Sequence, residues 1–268
     1  MTRFLIVPQW QGSPSARAML LTDGAAAIAG DLPRRDTTVL DVPLEAGDSL
    51  GTGIRRLSAL QRTRDMVADQ LAGHTDPVVV IGGDCSVSVF ALSALDTSDV
   101  AVLWCDAHPD LNEPSTSPSG AFAGMALRAV MGEGEPQLAL SPGIPAERVV
   151  LLGARSIDDS ERDALSELTL LSRDALDDVD SVAAAVRATG AGRVWVHIDV
   201  DVLDPAEFEG VSQAAPFGVT ASGLAAALRR LREEVPLAGA TIAGFAPRSP
   251  ADAVLDLGAI LRLIGAVA

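Results

Sequence analysis

Two aspartates and a histidine alternate along one short segment of this chain. Asp106, His108 and Asp110 directly follow the apolar run Val100–Trp104. Because an extended chain points its side chains alternately to two faces, these three would emerge on the same side where a strand ends. Carboxylate oxygens and imidazole nitrogens are ligands of divalent metal ions. The triplet alone fits either a metal site or an acidic, solvated loop that carries a histidine.

A second segment repeats the pattern. The apolar run Val194–Val196 leads into His197, Asp199 and Asp201, which again share one face of an extended chain. Side-by-side carboxylates repel each other unless a cation or a proton lies between them. Two such clusters, each at the end of an apolar strand, favour a metal site over coincidence.

A cysteine in a glycine turn offers a third possible contribution. The segment Gly82–Ser86, which reads GGDCS, follows the apolar run Val78–Ile81 and contains Cys85. A thiolate is softer than an imidazole and favours Zn, Fe or Co over Mn. Alternatively, Cys85 is an inert small residue in a turn, which would leave one metal ion short of a ligand.

Taken in order, the three segments resemble those of the ureohydrolase (arginase/agmatinase) superfamily. Here they read GGDCS, DAHPD and HIDVDVLDP, where the family has roughly GGDHS, DAHxD and SxDxD. The resemblance extends from about Gly51 to Pro247. It implies an arginase-like fold that binds two metal ions, Mn first of all, and hydrolyses a C–N bond of a guanidinium or related group.

The resemblance also implies a set of metal ligands. They are Cys85, Asp106, His108, Asp110, Asp199 and Asp201. Asp106 and Asp199 would each bridge both ions, and Asp110 would also orient the hydroxide that attacks the substrate. The family has histidine at the position of Cys85. Because a thiolate is softer than an imidazole, Zn, Fe or Co are alternatives to Mn for the ion that Cys85 would bind.

Two other positions depart from the family pattern. The segment Ser117–Met125 matches one that usually ends in His-Gly-Met, whose histidine shuttles protons to the leaving group; that position here holds Ala123. Gly244 stands where the family has a glutamate that clamps the guanidinium. Removing one partner of a buried charge pair costs about 3–5 kcal/mol. We therefore expect an ordinary arginine-like substrate to bind or react roughly 100- to 1,000-fold worse unless another carboxylate takes over.

Three residues are candidates for restoring these functions. Glu207 and Glu209, in the loop after Asp204, could replace the clamp or be solvated loop acids. His197 could restore part of the proton relay, since it shares a strand face with Asp199, or it could be structural.

Polar residues of two further segments suit an amino-acid-like substrate. Arginases hold the α-carboxylate and α-amino group with polar side chains on two loops. Asn112, Ser117 and Ser119 fall on or near the matching positions of the first loop, and Asp158 would face the α-ammonium group from the second. Ordinary loop chemistry is the alternative for the first three, and a helix N-cap is the alternative for Asp158.

Strand-like and helix-like stretches alternate along the chain and must position these residues. This order predicts a three-layer α/β/α fold with a mostly parallel, doubly wound sheet, whose sites form at the carboxyl ends of strands. Strands are expected at Arg3–Pro8, Thr38–Val42, Val78–Ile81, Val100–Trp104, Val149–Leu152, Val194–Ile198 and Ala240–Ala243. Helices are expected at Gly53–Ala72, Val87–Leu95, Ser160–Leu168, Ser181–Ala188, Ala221–Glu234 and Asp252–Ala268, the last with Leu255 and Ile260 on its apolar face.

Composition restricts the class of protein. A chain of 268 residues that is 48% hydrophobic excludes a disordered protein and allows one arginase-like metallohydrolase domain over residues 1–268. The net charge of −16 argues against nucleic acid or an anionic membrane as partner. Two cysteines, no membrane-length apolar run and no signal-like N-terminus indicate a cytoplasmic protein. The absence of tyrosine disfavours the related deacetylases, which use one in catalysis.

Two hypotheses about function follow. The first is a hydrolase that cleaves a C–N bond in a small, amino-acid-derived guanidino or amidino substrate, such as hydroxyarginine. An N-hydroxyguanidine suits the lost proton shuttle, because its leaving group needs less help from a strong acid. The second is a catalytically impaired protein of this fold that binds a ligand or a partner. By resemblance, a homo-oligomer is expected in either case.

Overall fold

Eight parallel strands form one sheet in the computed structural model, which describes residues 2–74 and 76–268. In chain order the strands are β1 Arg3–Ile6, β2 Thr37–Val39, β3 Val78–Ile81, β4 Val100–Cys105, β5 Val149–Leu152, β6 Thr169–Leu171, β7 Arg193–Asp199 and β8 Leu237–Ala243. Across the sheet they lie in the order β2-β1-β3-β8-β7-β4-β5-β6, and each neighbouring pair is parallel. The strands β3, β8, β7 and β4 are therefore adjacent, and their carboxyl ends meet at one edge.

Helices cover both faces of the sheet. They are α1 Leu20–Gly30, α2 Leu57–Leu71, α3 Ser86–Leu92, α4 Ala126–Val130, α5 Arg162–Leu165, α6 Ser181–Ala188, α7 Ala221–Glu234 and α8 Pro250–Val267. Buried side chains of α1, α6, α7 and α8 pack in one apolar core against the sheet, and those of α2, α3 and α4 pack in a second core. The predicted three-layer α/β/α fold with a parallel sheet is confirmed.

Alternation between two cores explains why the central strands β3 and β4 are apolar throughout. Val79 and Ile81 of β3 belong to one core, whereas Val78 and Val80 belong to the other. A strand covered by helices on both faces has no solvent face and needs no polar residues until it ends. In β3 and β4 the first candidate ligands therefore come just after the strand, whereas β7 carries His197 and Asp199 within its last three residues.

Side-chain caps fix where two long helices begin. The Thr220 hydroxyl accepts a hydrogen bond from the Gly223 N–H at 3.0 Å, which starts α7 where the sequence indicated. The Ser249 hydroxyl accepts from the Asp252 N–H at 3.2 Å, and Pro250 occupies the first turn of α8.

Three details differ from the sequence prediction. The helix α1 and the short strand β6 were not expected, because α1 is apolar and alanine-rich and β6 is a three-residue edge strand. In α8, Leu255 is 82% exposed, although we expected it on the buried face. At 100° per residue it lies about 140° away from the buried Ile260, so the two cannot share one face.

None of the helices in the described part of the chain is long and apolar enough to cross a membrane.

Candidate metal centre

A cavity of about 300 Å³ opens where the carboxyl ends of the four central strands meet. All six predicted metal ligands line it, as do the four predicted substrate-binding residues. They are Cys85, Asp106, His108, Asp110, Asp199 and Asp201, and Asn112, Ser117, Ser119 and Asp158. The sheet therefore brings together three segments that are far apart in sequence.

Backbone N–H groups of the following turns hold three of the carboxylates. Asp106 Oδ1 accepts a hydrogen bond from the His108 N–H at 2.7 Å, and Asp199 Oδ1 accepts from the Asp201 N–H at 2.9 Å. Asp201 Oδ1 accepts from the Ala107 N–H at 3.1 Å, which ties the β7 segment to the β4 segment. An aspartate that bonds the N–H two residues ahead is a common local turn. This turn fixes the chain just after each strand, and the residue two positions ahead also lines the cavity.

The Cys85 thiol lies among these carboxylates. Gly82 and Gly83 make the turn that places it, both with φ in the left-handed region, at 98° and 74°. The thiol donates to Asp199 Oδ2 at 3.2 Å and lies 3.7 Å from Asp106 Oδ2. Burial raises the pKa of Cys85 well above its usual value, and the surrounding carboxylates raise it further. Without a cation nearby, Cys85 is therefore a neutral thiol.

Asp84, beside Cys85, stabilises the turn that precedes α3. Its buried carboxylate accepts hydrogen bonds from the Ser86 N–H at 3.0 Å and from Gln9 Nε2 at 2.9 Å. These bonds fix the turn before α3 and hence the direction of the Cys85 side chain.

His108 lies between two of the aspartates. Its Nδ1 is 3.0 Å from Asp201 Oδ2 and 3.5 Å from Asp106 Oδ1. Burial opposes the charged imidazole, but hydrogen bonds to Asp106 and Asp201 and their charges outweigh it and raise the pKa of His108 to about 12. In the metal-free protein the His108 imidazolium therefore supplies a positive charge that the carboxylates need.

The carboxylates themselves are poorly solvated. Burial raises the pKa of Asp199 to about 7, with a further contribution from the Asp201 charge. Burial, followed by the Asp106 charge, raises the pKa of Asp201 to about 6. When the pKa of neighbouring carboxyl groups is raised in this way, their ionised forms are unfavourable at neutral pH unless a cation lies between them.

Asp110 completes the cluster. It has a left-handed backbone with φ 54°, and the residue is only 4% exposed. Its Oδ2 receives no hydrogen bond from the described residues. Burial raises the pKa of Asp110 well above its usual range, and the Asp106 charge adds to the shift. A buried oxygen of this kind needs an explanation, and a cation or an ordered water would provide one.

The donor set fits divalent metal ions. Two groups of donor atoms each lie within 4.8 Å of one another, Cys85 with Asp106 and His197, and Asp106 with His108 and Asp201. Asp106 belongs to both groups, so two ions held by them would share a carboxylate. Imidazole, thiol and carboxylate donors are typical of transition-metal sites.

The structure corrects the expected position of His197. Its side chain is fully buried and does not line the cavity. Its Nδ1 lies 2.8 Å from Ser88 Oγ, and its ring stacks on Trp104 with centroids 3.7 Å apart. Burial lowers the pKa of His197 to about 3. A proton relay to a substrate does not suit this position, because the ring does not line the cavity.

The predicted substrate-binding residues form one side of the cavity. Asn112 Nδ2 donates to Asp158 Oδ2 at 2.9 Å, and Asn112 Oδ1 accepts from Ser160 Oγ at 2.9 Å. Ser117 Oγ and Ser119 Oγ are 3.4 Å apart on the neighbouring loop. Their position fits the expectation, and substrate binding by them stays a prediction.

Glu161 joins the two loops that carry these residues, and sequence analysis missed it. Its buried carboxylate accepts the N–H of Leu111 and the N–H of Asp158, both at 2.9 Å. The signal in the sequence was the pattern Asp-x-x-Glu, which is typical of a capping box. Asp158 is accordingly a helix N-cap as well as a residue that lines the cavity.

Other cavity-lining residues also escaped the sequence analysis, because they come from segments without a chemical pattern. They include Ser13, Ser156, Val211, Ser212 and Gln213. Conversely, Glu207 and Glu209 do not line this cavity. Glu209 forms a surface ion pair with Arg248 at 2.6 Å, so these two acids belong to a solvated loop and do not replace the clamp.

Gly244 and Ala123 also line the cavity. Gly244 has φ 83°, and a β-carbon added there would overlap the Asp199 carboxylate. Ala123 is 7% exposed, and its methyl group offers no proton donor or acceptor.

Comparison with known proteins agrees with this geometry. A model of the arginase family matches residues 19–259. The chain belongs to the arginase family. It is 31% identical to an arginase of Staphylococcus aureus (strain MRSA252) over 201 residues, which cover 69% of this chain and 66% of that protein. The match to an arginase of Bacillus caldovelox covers 63% of its length, so the aligned part of this chain spans less than two thirds of these arginases.

Another family relative carries a more specific name. The N(omega)-hydroxy-L-arginine amidinohydrolase of Streptomyces lavendulae is 29% identical over 234 residues, which cover 84% of this chain and 82% of that protein. Among solved structures, arginase from Entamoeba histolytica in complex with L-ornithine superimposes with a TM-score of 0.84 at 20% identity, covering 98% of both chains. The arginase of Bacillus caldovelox superimposes with a TM-score of 0.80 at 26% identity and covers 98% of this chain and 97% of that one.

Proposed function

We propose that this arginase-family chain is a metal-dependent hydrolase that cleaves a C–N bond in the guanidino group of a small amino-acid-derived substrate, with hydroxyarginine as the best candidate. The observation that carries the proposal is the convergence of four buried aspartates, a thiol and an imidazole on one open cavity. Members of the family typically hold two metal ions. We further propose that residues 1–268 form one domain, and that the protein is a cytoplasmic homo-oligomer.

The chain's own residues would divide the metal binding between two sites. Asp106, His108 and Asp201 would hold one ion, and Cys85, Asp110 and Asp199 would contribute to the other, in accord with the family resemblance. Two divalent ions make water acidic enough to serve as a nucleophile near neutral pH and stabilise negative charge in the transition state. Mn is the first candidate, and the Cys85 thiol makes Zn, Fe or Co an alternative for its ion.

Asp110 is the residue best placed to handle a proton. Asp110 lines the cavity, and its buried Oδ2 receives no hydrogen bond from the described residues. The oxygen can therefore orient a water molecule at the cavity floor and accept a proton from it as the water attacks the guanidino carbon.

The leaving group receives little help from this cavity. Ala123 stands where the family resemblance places the proton-shuttling histidine, and His197 lies behind the cavity. A substrate whose guanidino carbon is itself activated, and which therefore depends less on acid catalysis, is favoured. The amine that leaves is the same in arginine and hydroxyarginine, but the electron-withdrawing hydroxyl of the hydroxyguanidine activates its carbon towards water, which supports hydroxyarginine, and the name of the Streptomyces lavendulae relative agrees.

Gly244 supports the same preference. The family resemblance places a guanidinium-clamping glutamate there, but the Asp199 carboxylate fills the space that its β-carbon would need. Without the clamp, selection for an unmodified guanidinium is weakened. The other end of the substrate retains Asn112, Ser117 and Asp158, whose polar and anionic groups suit an α-carboxylate and an α-ammonium group.

Turnover assays test the proposal. We expect the Mn²⁺-loaded protein to release ornithine from hydroxyarginine faster than from arginine and to act poorly on agmatine, whose product putrescine is measured separately. Asp110→Asn should lower turnover at least about 100-fold. Asp163→Asn, at an exposed position of α5, is the matched control and should leave it unchanged. A metal-loaded protein that cleaves none of the three substrates contradicts the proposal.

A ligand-binding or partner-binding module is the second candidate. Ala123 and Gly244 together favour it, because neither can supply the chemistry that the family resemblance places there. Metal stoichiometry separates the two candidates. Two bound ions per chain favour the hydrolase, and one ion or none favours the binding module.

A further inference from the structure

His197 has an imidazole nitrogen that nothing in the described residues satisfies. The side chain is fully buried, and its Nε2 has no hydrogen-bond partner there. Buried polar atoms are nearly always paired, and an exception points to a missing partner such as an ion. The nitrogen faces Asp106, whose Oδ2 lies 3.9 Å away.

The other side of the ring shows which nitrogen carries the proton. The Ser88 hydroxyl donates its hydrogen to Thr241 Oγ1 at 2.7 Å, so its oxygen acts as an acceptor towards His197 Nδ1 at 2.8 Å. Trp195 Nε1 donates to the same hydroxyl oxygen at 3.4 Å. The proton therefore belongs on Nδ1, and Nε2 has a free lone pair.

The ring is also fixed in place. It stacks on Trp104 with centroids 3.7 Å apart and an interplanar angle of 26°. A metal-binding histidine almost always donates its second ring N–H to a neighbour that sets its tautomer and orientation. Ser88 and Trp104 supply that support for His197.

Two further donors surround the free lone pair. Cys85 Sγ lies 3.7 Å from Asp106 Oδ2, and the sulfur, the carboxylate oxygen and His197 Nε2 all lie within 4.8 Å of one another. Nitrogen, oxygen and sulfur donors at about 2.0–2.3 Å from one tetrahedral ion are about 3.3–3.8 Å apart. The three atoms therefore need only small shifts to bind a common ion.

We propose that His197 Nε2 is a metal ligand and that it binds, with Cys85 and Asp106, one of the two ions of the centre. This inference rests on the proposed two-metal function. It explains two departures from the family motifs together: cysteine stands where the motif has histidine, at Cys85, and histidine stands where it has serine, at His197. The site thus keeps an imidazole ligand, but the residue that supplies it lies on β7 instead of in the turn after β3.

The donor set has a consequence for the metal. A thiolate and an imidazole bound to one ion favour Zn, Co or Fe, whereas the second group of carboxylates and His108 suits Mn. The two ions of the centre then differ in kind, and the softer ion is the one farther from the solvent, since His197 is fully buried and His108 is not.

Cadmium NMR tests the inference directly. The full chain is labelled with ¹⁵N-histidine and loaded with ¹¹³Cd²⁺, and scalar coupling between cadmium and each imidazole nitrogen is measured. The chain contains three histidines, so each signal is readily assigned. We expect coupling to His197 Nε2 and to His108, and none to His74, which pairs with Arg3 away from the cavity.

Two variants identify the partners on the same ion. His197→Ser should remove its coupling and weaken cadmium binding at that site at least about 100-fold, whereas the control His74→Ser should change neither. Cys85→Ser should shift the resonance of the cadmium that couples to His197, because a thiolate ligand is lost. An unshifted resonance would overturn the assignment of Cys85 and His197 to one ion.

The remaining outcomes separate this inference from the proposed function. Cadmium bound at two sites without coupling to His197 would overturn the inference and leave the two-metal hydrolase intact. Failure to bind Cd²⁺ and Mn²⁺ at all would overturn both. The wild-type coupling needs no variant, so a variant that does not fold leaves the decisive measurement in place.

Discussion

The backbone of Gly244 approaches the carboxylate of Asp199 so closely that a β-carbon at this position would overlap its oxygen atoms. The approach follows from strand pairing, since Ala243 of β8 lies opposite Asp199 of β7. Substituting Gly244 therefore acts on a candidate metal ligand, and a glutamate placed there cannot restore a guanidinium clamp while Asp199 keeps its position.

Gly244→Ala should lower both stability and metal content. The φ of 83° is unfavourable for alanine, and the new methyl group must displace Asp199, so we expect a loss of about 1–3 kcal/mol in the free energy of unfolding. Urea titration and metal analysis measure the two effects.

Gly258→Ala is the matched control, because Gly258 lies on an exposed face of α8 with nothing near its β-position. It should be stabilising by up to about 1 kcal/mol. Full metal content in Gly244→Ala would contradict the role given to this close approach.

Ala123→His should shift the substrate preference towards arginine. Ala123 lines the cavity, so a histidine there can bring a proton donor to the leaving nitrogen. General acid catalysis contributes about 100- to 10,000-fold, and we expect arginine turnover to gain at least the lower part of that range relative to hydroxyarginine. Ornithine release from both substrates is the measurement. Ala206→His, at an exposed position outside the cavity, should leave the ratio unchanged. An unchanged ratio in Ala123→His would remove the lost proton shuttle as the reason for the preference.

The metal-free protein should lose stability as pH rises from about 4 to 7. The pKa of Asp199 is raised to about 7 and that of Asp201 to about 6 in the folded state, against about 3.9 unfolded. In this window the folded protein binds more protons than the unfolded chain, so the free energy of unfolding falls with pH. Because the pKa of His108 is raised to about 12 in the folded state, the free energy of unfolding continues to fall above pH 6.5. Thermal unfolding in chelator at pH 5 and pH 8 measures the trend.

Asp199→Asn is the corresponding variant. It should flatten the decline between pH 5 and pH 8, because asparagine does not titrate and removes part of the charge repulsion. Divalent metal should reverse the decline in the wild-type protein and release protons on binding, since its ligands bind in their deprotonated forms. Stability that rises from pH 5 to pH 8 in the metal-free protein would contradict the pKa shifts of the cluster.

Glu161→Gln should weaken substrate binding more than it slows the chemical step. The carboxylate accepts two backbone N–H groups, from Leu111 and Asp158, and an amide can accept only with its one oxygen. An unsatisfied buried donor costs about 1–3 kcal/mol, so the two loops should loosen and KM should rise at least tenfold with kcat changed less. Steady-state kinetics on hydroxyarginine measures this split, and the exposed Glu167→Gln is the control. A fall in kcat alone would place Glu161 in the chemistry instead.

The sequence predicted the parts of this site that depend on local spacing. Asp106 and His108 occur two residues apart, and so do Asp199 and Asp201, and each first aspartate bonds the N–H two residues ahead where a buried strand ends. Their convergence was also predictable, since parallel strands end at one edge. Local patterns say nothing of contacts that depend on neighbouring elements.

The position of His197 shows this limit. Its place on a face with Asp199 suggested that it points into the cavity, but Trp104 and Ser88 from other elements hold it behind Asp106. The conflict between a β-carbon at Gly244 and Asp199 likewise arises only when β7 and β8 pair.

The strands that carry the candidate ligands are all interior strands of the sheet. Each of β3, β4 and β7 has a hydrogen-bonded neighbour on both sides, and the edges are formed by the short strands β2 and β6. The ligand-bearing backbone is therefore set in place when the sheet forms, and an incoming ion meets donors that are already preorganised. The entropic cost of ordering these ligands is incurred during folding. The site can therefore bind an ion tightly without a large conformational change.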